Sequence, residues 1–168
     1  LVNKYGIDAV RYYLLREIPP TDDGDFSYKK FEERYNADLA KGLGNFAARV
    51  LALAEKIQDL RFDNQEVEER IVKKIEETKK KVEEKMGEYK FHEALAAVWE
   101  LITFGDIHIN EKAPWSLPEN EATKVIFVSL FILQNIAEVL SPFLPDTAEK
   151  IKKGIKDNRK TNLFPRYP

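Results

Sequence analysis

The chain has 168 residues, of which 43% are hydrophobic and 33% are charged, a length and balance that suit one soluble domain with its own core. It contains no cysteine, which excludes disulfides and thiolate metal sites and is typical of an intracellular protein. The net charge is −2, so any contact with RNA must be local and must involve bases as well as phosphates.

The first half of the chain predicts two helices with a turn between them. Residues 8–17 form a short amphipathic pattern that ends before Pro19. Residues 21–25 have turn chemistry around Gly24, and Ser27 is placed to cap the next helix. In that second helix the apolar residues recur at steps of four and three, the seam of a helix packed in a bundle: Leu39, Leu43, Phe46, Val50, Leu53 and Ile57.

A third helix, also long, is predicted after a start signal. Asp63 and Glu66 resemble a capping box, with Asp in place of Ser or Thr. An apolar stripe then runs from Val67 to Val82, and Gly87 is placed to end the helix. The Glu/Lys-rich residues between these apolar positions predict a solvated helix face with pairs of opposite charge.

The second half predicts two more long helices and a short one. The fourth helix starts near Tyr89 and must stop before Pro114, because the residue before proline disfavours the α conformation. The fifth covers 121–140, and a short last helix covers 146–154. The apolar run 125–140 is shorter than the roughly 20 apolar residues of a spanning helix, so we predict a buried helix and no membrane span. Long helices with short connections predict an all-α fold, an antiparallel helix bundle.

No arrangement of catalytic groups is visible in the sequence. His92 and His108 have no partner at metal-ligand or triad spacing, and a histidine on a bundle helix is more commonly a half-buried packing residue. No glycine-rich phosphate loop follows a strand, and we predict no metal site. Gly42 and Gly44 lie inside a helical pattern, where each costs about 1 kcal/mol against alanine. They indicate close approach of a neighbouring helix or a ligand.

A polar stripe beside the apolar seam carries two candidate binding residues. Asn45 and Arg49 are four residues apart, so their side chains reach the same patch of surface. An amide that donates and accepts, beside a planar guanidinium, can read the edge of a base. The structural alternative is an asparagine bonded to a neighbouring loop and an arginine paired with a bundle carboxylate. From the pattern alone, that alternative is the commoner arrangement.

Trp115 is the third candidate. It follows Ala113 and Pro114, where the chain must turn, so its ring could face solvent and stack on a base for about 1–3 kcal/mol. The alternative is a tryptophan folded back onto the bundle, which is commoner from the pattern alone. Trp99 lies among apolar neighbours in the middle of a helix, and we predict it in the core.

Five segments, taken in order, resemble methionyl-tRNA synthetases. The motif with the asparagine and arginine, together with the opening segment, points to methionine, whereas Ala-Pro-Trp is shared more widely among class I aminoacyl-tRNA synthetases. Asp106 and His108 stand where the family often has Asn and Tyr. The five segments are KYGIDAVRYYLLREIPPTDDGDFS (4–27), NADLAKGLGNFAAR (36–49), INEKAPW (109–115), SPFLPDTAEKI (141–151) and LFPR (163–166).

The resemblance implies the helical C-terminal anticodon-binding domain of such an enzyme. It implies a connecting segment at 1–26 that leans on the inner side of the tRNA L, and an anticodon-binding bundle at 27–168. Asn45 and Arg49 would hydrogen-bond the first base, a cytosine, of the CAU anticodon of tRNA-Met. Trp115 would stack on the unstacked anticodon bases.

The resemblance also implies a parent enzyme, a cytoplasmic ATP-dependent methionine–tRNA ligase. Its catalytic Rossmann domain, with the ATP and methionine sites, would precede Leu1. Neither ATP-binding signature of the family occurs in the chain, which begins without Met. We therefore expect a fragment with no cofactor and no catalytic site of its own.

Two alternatives remain at this stage. The anticodon-binding domain of another class I synthetase, of the cysteinyl or leucyl type, would keep the bundle but lose the roles of Asn45 and Arg49. A helical protein–protein interaction module is favoured by the near-neutral charge, and it would show no affinity for tRNA at any salt concentration.

Overall fold

The computed structural model describes residues 1–18, 26–57 and 67–167. Every regular element within these ranges is helical, so the all-α prediction is confirmed. The elements are α1 (Val2–Tyr5), α2 (Ile7–Glu17), α3 (Tyr28–Arg34), a π-helical segment (Tyr35–Gly44), α4 (Asn45–Ala54), α5 (Glu69–Gly87), α6 (Phe91–Lys112), a 3₁₀ turn (Pro114–Ser116), α7 (Glu119–Leu140) and α8 (Pro145–Lys156).

The long helices pack side by side as a bundle. The segments α3, π and α4 follow one another without a break and form one long helix. Helix α5 packs along α6, α6 packs along α7, and α4 packs against α7. Because short connections join α5 to α6 and α6 to α7, the chain reverses direction between these neighbours. The predicted antiparallel bundle is confirmed, with α2 against α6 and α8 against α7.

The predicted apolar seam faces the core. Four of its members are fully buried, and the last two are half-buried and pack against the same core: Leu39, Leu43, Phe46 and Val50, then Leu53 and Ile57. Gly105 on α6 leaves room for the Phe46 ring, because a Cβ at position 105 would lie only 2.6 Å from Phe46 Cζ. Trp99 is half-buried and packs on this core, where its Nε1 donates to the Asp38 carbonyl at 3.3 Å.

Local signals set the helix ends that the structure describes. The Ser27 hydroxyl accepts a hydrogen bond from the Lys30 amide at 3.2 Å, which confirms the predicted cap of α3. Helix α5 ends at Gly87, as predicted. The turn at 21–25 and the capping box of Asp63 and Glu66 lie outside the described residues.

Helix α7 is the apolar core helix that the sequence predicted. By length and composition it could cross a membrane, but 61% of its apolar window is buried inside the bundle. Its buried polar side chains bond to the preceding turn: Ser129 donates to the Val125 carbonyl at 2.9 Å, and Asn135 donates to the Phe131 carbonyl at 2.9 Å. These groups are therefore satisfied inside a protein core.

The N-terminal helices are attached to the C-terminal end of the chain. The buried Asp8 carboxylate accepts a hydrogen bond from the Thr147 amide at 2.7 Å, at the start of α8. Arg11 donates to the Phe143 carbonyl at 2.8 Å. The predicted division into a connecting segment and a bundle stays a prediction.

Candidate nucleic-acid-binding site

Helices α4 and α6 bring together the guanidinium of Arg49 and two polar side chains. Arg49 Nη1 donates to Asp106 Oδ1 at 2.8 Å, and Nη2 donates to Asn110 Oδ1 at 2.7 Å. Asn110 Nδ2 in turn donates to Asp106 Oδ2 at 3.2 Å. The structural alternative, an arginine paired with a bundle carboxylate, is therefore realised. A guanidinium has five N–H donors, so this pairing leaves Arg49 with donors for a ligand.

Trp115 lies beside this guanidinium. The Cζ atom of Arg49 is 5.6 Å from the centroid of the Trp115 ring, within range for a cation–π contact. The Trp115 side chain is 57% exposed, so the structure realises the solvent-facing arrangement and not the one folded onto the bundle. An exposed indole is available for stacking on a flat ligand.

The backbone around Trp115 explains its position. Ala113 adopts the left-handed conformation, with φ of 42°, and ends α6. Pro114 then begins a single 3₁₀ turn and is buried. The amide and the hydroxyl of Ser116 both donate to the Ala113 carbonyl, at 2.9 and 2.8 Å. Hydrogen bonds within the turn therefore stabilise it, and the Trp115 ring points outward from it.

Asn45 is the first residue of α4, one helical turn before Arg49. It is exposed, and its side chain makes no hydrogen bond within the part of the chain that the structure describes. The predicted alternative, a bond from Asn45 to a neighbouring loop, is not found among those residues. The amide is available to a ligand on the same helix face as Arg49.

Comparison with known proteins decides which family this site belongs to. Residues 68–168 match the family profile described as the anticodon-binding domain of tRNA ligase. Residues 1–51 match the profile of class I tRNA synthetases (M). The chain is 37% identical to a methionine–tRNA ligase of Clostridium acetobutylicum over an alignment that covers 90% of this chain and 25% of that protein. The chain belongs to the anticodon-binding domain family of methionyl-tRNA synthetases.

Other relatives of this anticodon-binding domain agree. The methionine–tRNA ligase of Methanopyrus kandleri is 38% identical over an alignment that covers 88% of this chain and 23% of that protein. The free-state methionyl-tRNA synthetase of Mycobacterium tuberculosis superposes with a TM-score of 0.84 at 26% identity, over 99% of this chain and 40% of that chain. The chain spans about a quarter of the length of the curated relatives it matches.

A π-helical stretch leads into the site of this anticodon-binding domain. It covers Tyr35–Gly44 and ends immediately before Asn45. A Cβ on Gly44 would lie 2.8 Å from the Leu39 carbonyl oxygen, whereas a Cβ on Gly42 would make ordinary contact with Trp99 at 3.5 Å. The sequence predicted close approach by a neighbouring helix or a ligand, and the neighbouring-helix part of that prediction is wrong for Gly44. The close atom belongs to the preceding turn of its own helix.

Sequence reasoning missed the two residues that hold Arg49. From the sequence, Asp106 was noted only as a departure from the family pattern, and Asn110 only as one residue of the motif that contains Trp115. Neither was predicted to contact Arg49. A signal was present: the two are four residues apart on the helix that leads to Trp115. Which arginine they would face depends on how α4 packs against α6.

Proposed function

We propose that this domain recognises the CAU anticodon of tRNA-Met for a cytoplasmic methionine–tRNA ligase. One observation carries the proposal: the exposed Trp115 ring lies 5.6 Å from an Arg49 guanidinium that two side chains already hold. A flat face for stacking beside a directed set of hydrogen-bond donors is how proteins recognise unpaired bases.

The three residues have complementary tasks in this proposal. Cytosine presents two acceptors, O2 and N3, and one amino donor, N4, on its pairing edge. Arg49 donates to the acceptors, and the Asn45 carbonyl accepts from the amino group. Uracil has an N–H donor at N3 and an acceptor at O4, so Arg49 would face N3 donor to donor and the Asn45 carbonyl would face O4 acceptor to acceptor. Trp115 stacks on the faces of the anticodon bases, a contact that does not depend on the hydrogen-bonding groups at their edges.

The proposal also assigns roles to residues 1–26 and to the rest of the parent ligase. Residues 1–26 connect the bundle to the catalytic Rossmann domain of the parent protein and lean on the tRNA. That domain holds ATP and methionine, and no cofactor is assigned to this chain. We expect the 168-residue chain alone to give no methionine-dependent exchange of pyrophosphate with ATP.

Binding of anticodon stem–loop RNAs tests the proposal. We expect the CAU loop to bind most tightly, and a change of its cytosine to uracil to weaken binding roughly 10- to 100-fold. Asn45→Ala should lose much of this preference. Trp115→Ala should weaken binding to every loop and change the preference less. Equal affinity of the parent chain for all anticodons, or no affinity at any salt concentration, would contradict the proposal.

A matched control is available for the tryptophan. Tyr89 is an exposed aromatic residue, 71% accessible, just before the start of α6. Trp115 follows the end of the same helix, about 33 Å away at 1.5 Å per residue. Tyr89→Ala should therefore leave RNA binding unchanged. Melting curves of all variants should match the parent, because the three substituted side chains are exposed.

A further inference from the structure

A pocket separate from the Arg49 site lies between the start of α5, the end of α6 and the start of α7. Its volume is about 480 Å³, within the range of sites for small ligands. Leu117 in its wall is two residues beyond Trp115, and Glu111 in its wall directly follows Asn110. The pocket therefore adjoins the proposed anticodon site along the chain.

His108 lines this pocket with an imidazole that has no hydrogen-bond partner among the residues that the structure describes. The side chain is 3% exposed, and neither Nδ1 nor Nε2 has a hydrogen bond among the described residues. Buried polar groups are almost always paired, so a polar group of a molecule that enters the pocket would satisfy an atom that the described residues leave unpaired. Burial lowers the pKa of His108, and the positive charges of Arg70 and Lys112 lower it further. The ring is neutral at pH 7 and offers one donor and one acceptor.

The other lining groups indicate what could fill the pocket. Leu117, Val125 and Val128 provide apolar walls, which suit the faces of a flat ring. Glu111 and Glu121 also line it, and neither has an ion pair in the part of the chain that the structure describes. Carboxylates repel phosphate but accept hydrogen bonds from the exocyclic amino groups of bases. A neutral ring with an amino group fits this combination.

We propose that this pocket takes an unstacked adenine or cytosine of the anticodon loop, other than the base read by Asn45 and Arg49. His108 hydrogen-bonds the edge of the base, and Glu121 accepts from its amino group. Lys124, at the same pocket, is placed to contact the adjoining phosphate. The inference rests on the proposed function, because it assumes that the anticodon loop lies over Trp115.

Removing single amino groups from the RNA tests the inference. Each adenosine or cytidine of the CAU stem–loop is replaced in turn by its analogue without the amino group. We expect one position, other than the first anticodon base, at which the parent chain loses roughly tenfold in affinity. The variant His108→Phe, which keeps a flat ring but no polar atom, should bind the unmodified loop more weakly and should lose nothing further at that position.

Two further variants serve as a control and as an independent test of the pocket. His92→Phe changes the other histidine at the opposite end of α6 and should behave as the parent. Glu121→Gln changes an exposed side chain, so it should fold even if His108→Phe does not, and should show a reduced loss at the same position.

The outcomes separate this inference from the proposed function. A parent chain that prefers CAU but tolerates every amino deletion outside the first base overturns the pocket assignment alone. An amino-group loss that is equally large in His108→Phe and Glu121→Gln overturns it as well. A parent chain with no preference for CAU overturns the proposed function, and this inference with it.

Discussion

At the scale of single residues, Arg49 is held in place by contacts within the protein itself. Its two partners, Asp106 and Asn110, also bond to each other. A side chain that is already ordered loses less conformational entropy on binding, and the planar guanidinium keeps its remaining donors directed. We therefore predict that Asp106 acts through Arg49, as a positioning residue.

Asp106→Ala should reduce the preference for cytosine over uracil at the first anticodon base by about 1 kcal/mol. Binding of non-cognate loops should stay equal or become tighter, because a negative charge near the RNA is removed. The melting temperature should hardly change, since exposed ion pairs contribute about 0–1 kcal/mol. Titration of both loops measures the change.

Glu100→Ala is the matched control for Asp106→Ala. Glu100 is also an exposed, ion-paired acid on α6, with Lys74 at 3.6 Å and Lys81 at 3.2 Å. It should leave the preference intact. If both variants keep the full preference for cytosine, Asp106 has no positioning role.

His108 makes a separate prediction about pH. Its pKa is lowered in the folded chain, whereas the unfolded chain keeps the ordinary value of about 6.5. As the pH falls below that value, the unfolded state binds a proton that the folded state does not. The free energy of unfolding should therefore decrease until the pH reaches the folded pKa. The charged groups that act on the ring are Glu68 just before α5, Arg70 on α5, and Glu111 and Lys112 on α6.

Urea unfolding at pH 7.5 and at pH 5.5 measures this effect. The parent chain and His92→Phe should both lose stability on acidification. His108→Phe should lose measurably less. An identical loss in all three proteins would show that the folded chain accommodates a charged His108.

At the scale of secondary-structure elements, Gly105 is the position at which side chains of the neighbouring helices α4 and α7 pack directly against the backbone of α6. A Cβ there would lie 2.6 Å from Phe46 Cζ and 3.1 Å from Ile132 Cγ2, and both side chains are fully buried. These contacts come from α4 and α7. Gly105 therefore sets the spacing at which α4, the helix that carries Asn45 and Arg49, packs against α6.

Gly105→Ala should destabilise the fold by about 1–3 kcal/mol, because overpacking outweighs the better helix propensity of alanine. Gly87→Ala is the control: it is also a helical glycine, but a Cβ there would meet nothing within 4 Å. It should be neutral or slightly stabilising. Thermal melts of both variants give the comparison, and equal melting temperatures would mean that the Phe46 ring can move aside.

At the scale of the whole molecule, charge constrains how the domain can bind RNA. The net charge of −2 gives no general attraction for phosphates. The proposed function therefore requires base contacts at the Arg49 and Trp115 surface.

We expect a shallow salt dependence of anticodon stem–loop binding. Contact with about three phosphates would give a slope near −2 in a plot of log affinity against log salt, at about 0.7 per phosphate. Asn45→Ala should leave the slope unchanged, and Arg49→Ala should reduce it by less than one. Titrations between 50 and 200 mM salt are the measurement, roughly the range over which such slopes are resolved. A slope steeper than about −5 would indicate binding dominated by the phosphate backbone.

The sequence by itself determined the helices, most of their ends, the buried seam and the family. These features depend on residues that are close together in the chain. Leu39, Leu43 and Phe46 are spaced by four and three residues, and the Ser27 hydroxyl lies three residues before the amide that it caps. The order of the family motifs can likewise be read directly from the sequence. The three candidate binding residues were found in the same way, since Asn45 and Arg49 are four residues apart on one helix.

Only the tertiary structure decided what surrounds those residues. Arg49 meets Asp106 across 57 residues of chain and Asn110 across 61, and the burial of His108 depends on three helices. Such contacts are set by the rotation and axial register of one helix against another, and a periodic apolar seam tolerates several registers. Close packing around Gly105 selects one of them, and that choice places Arg49 beside Trp115.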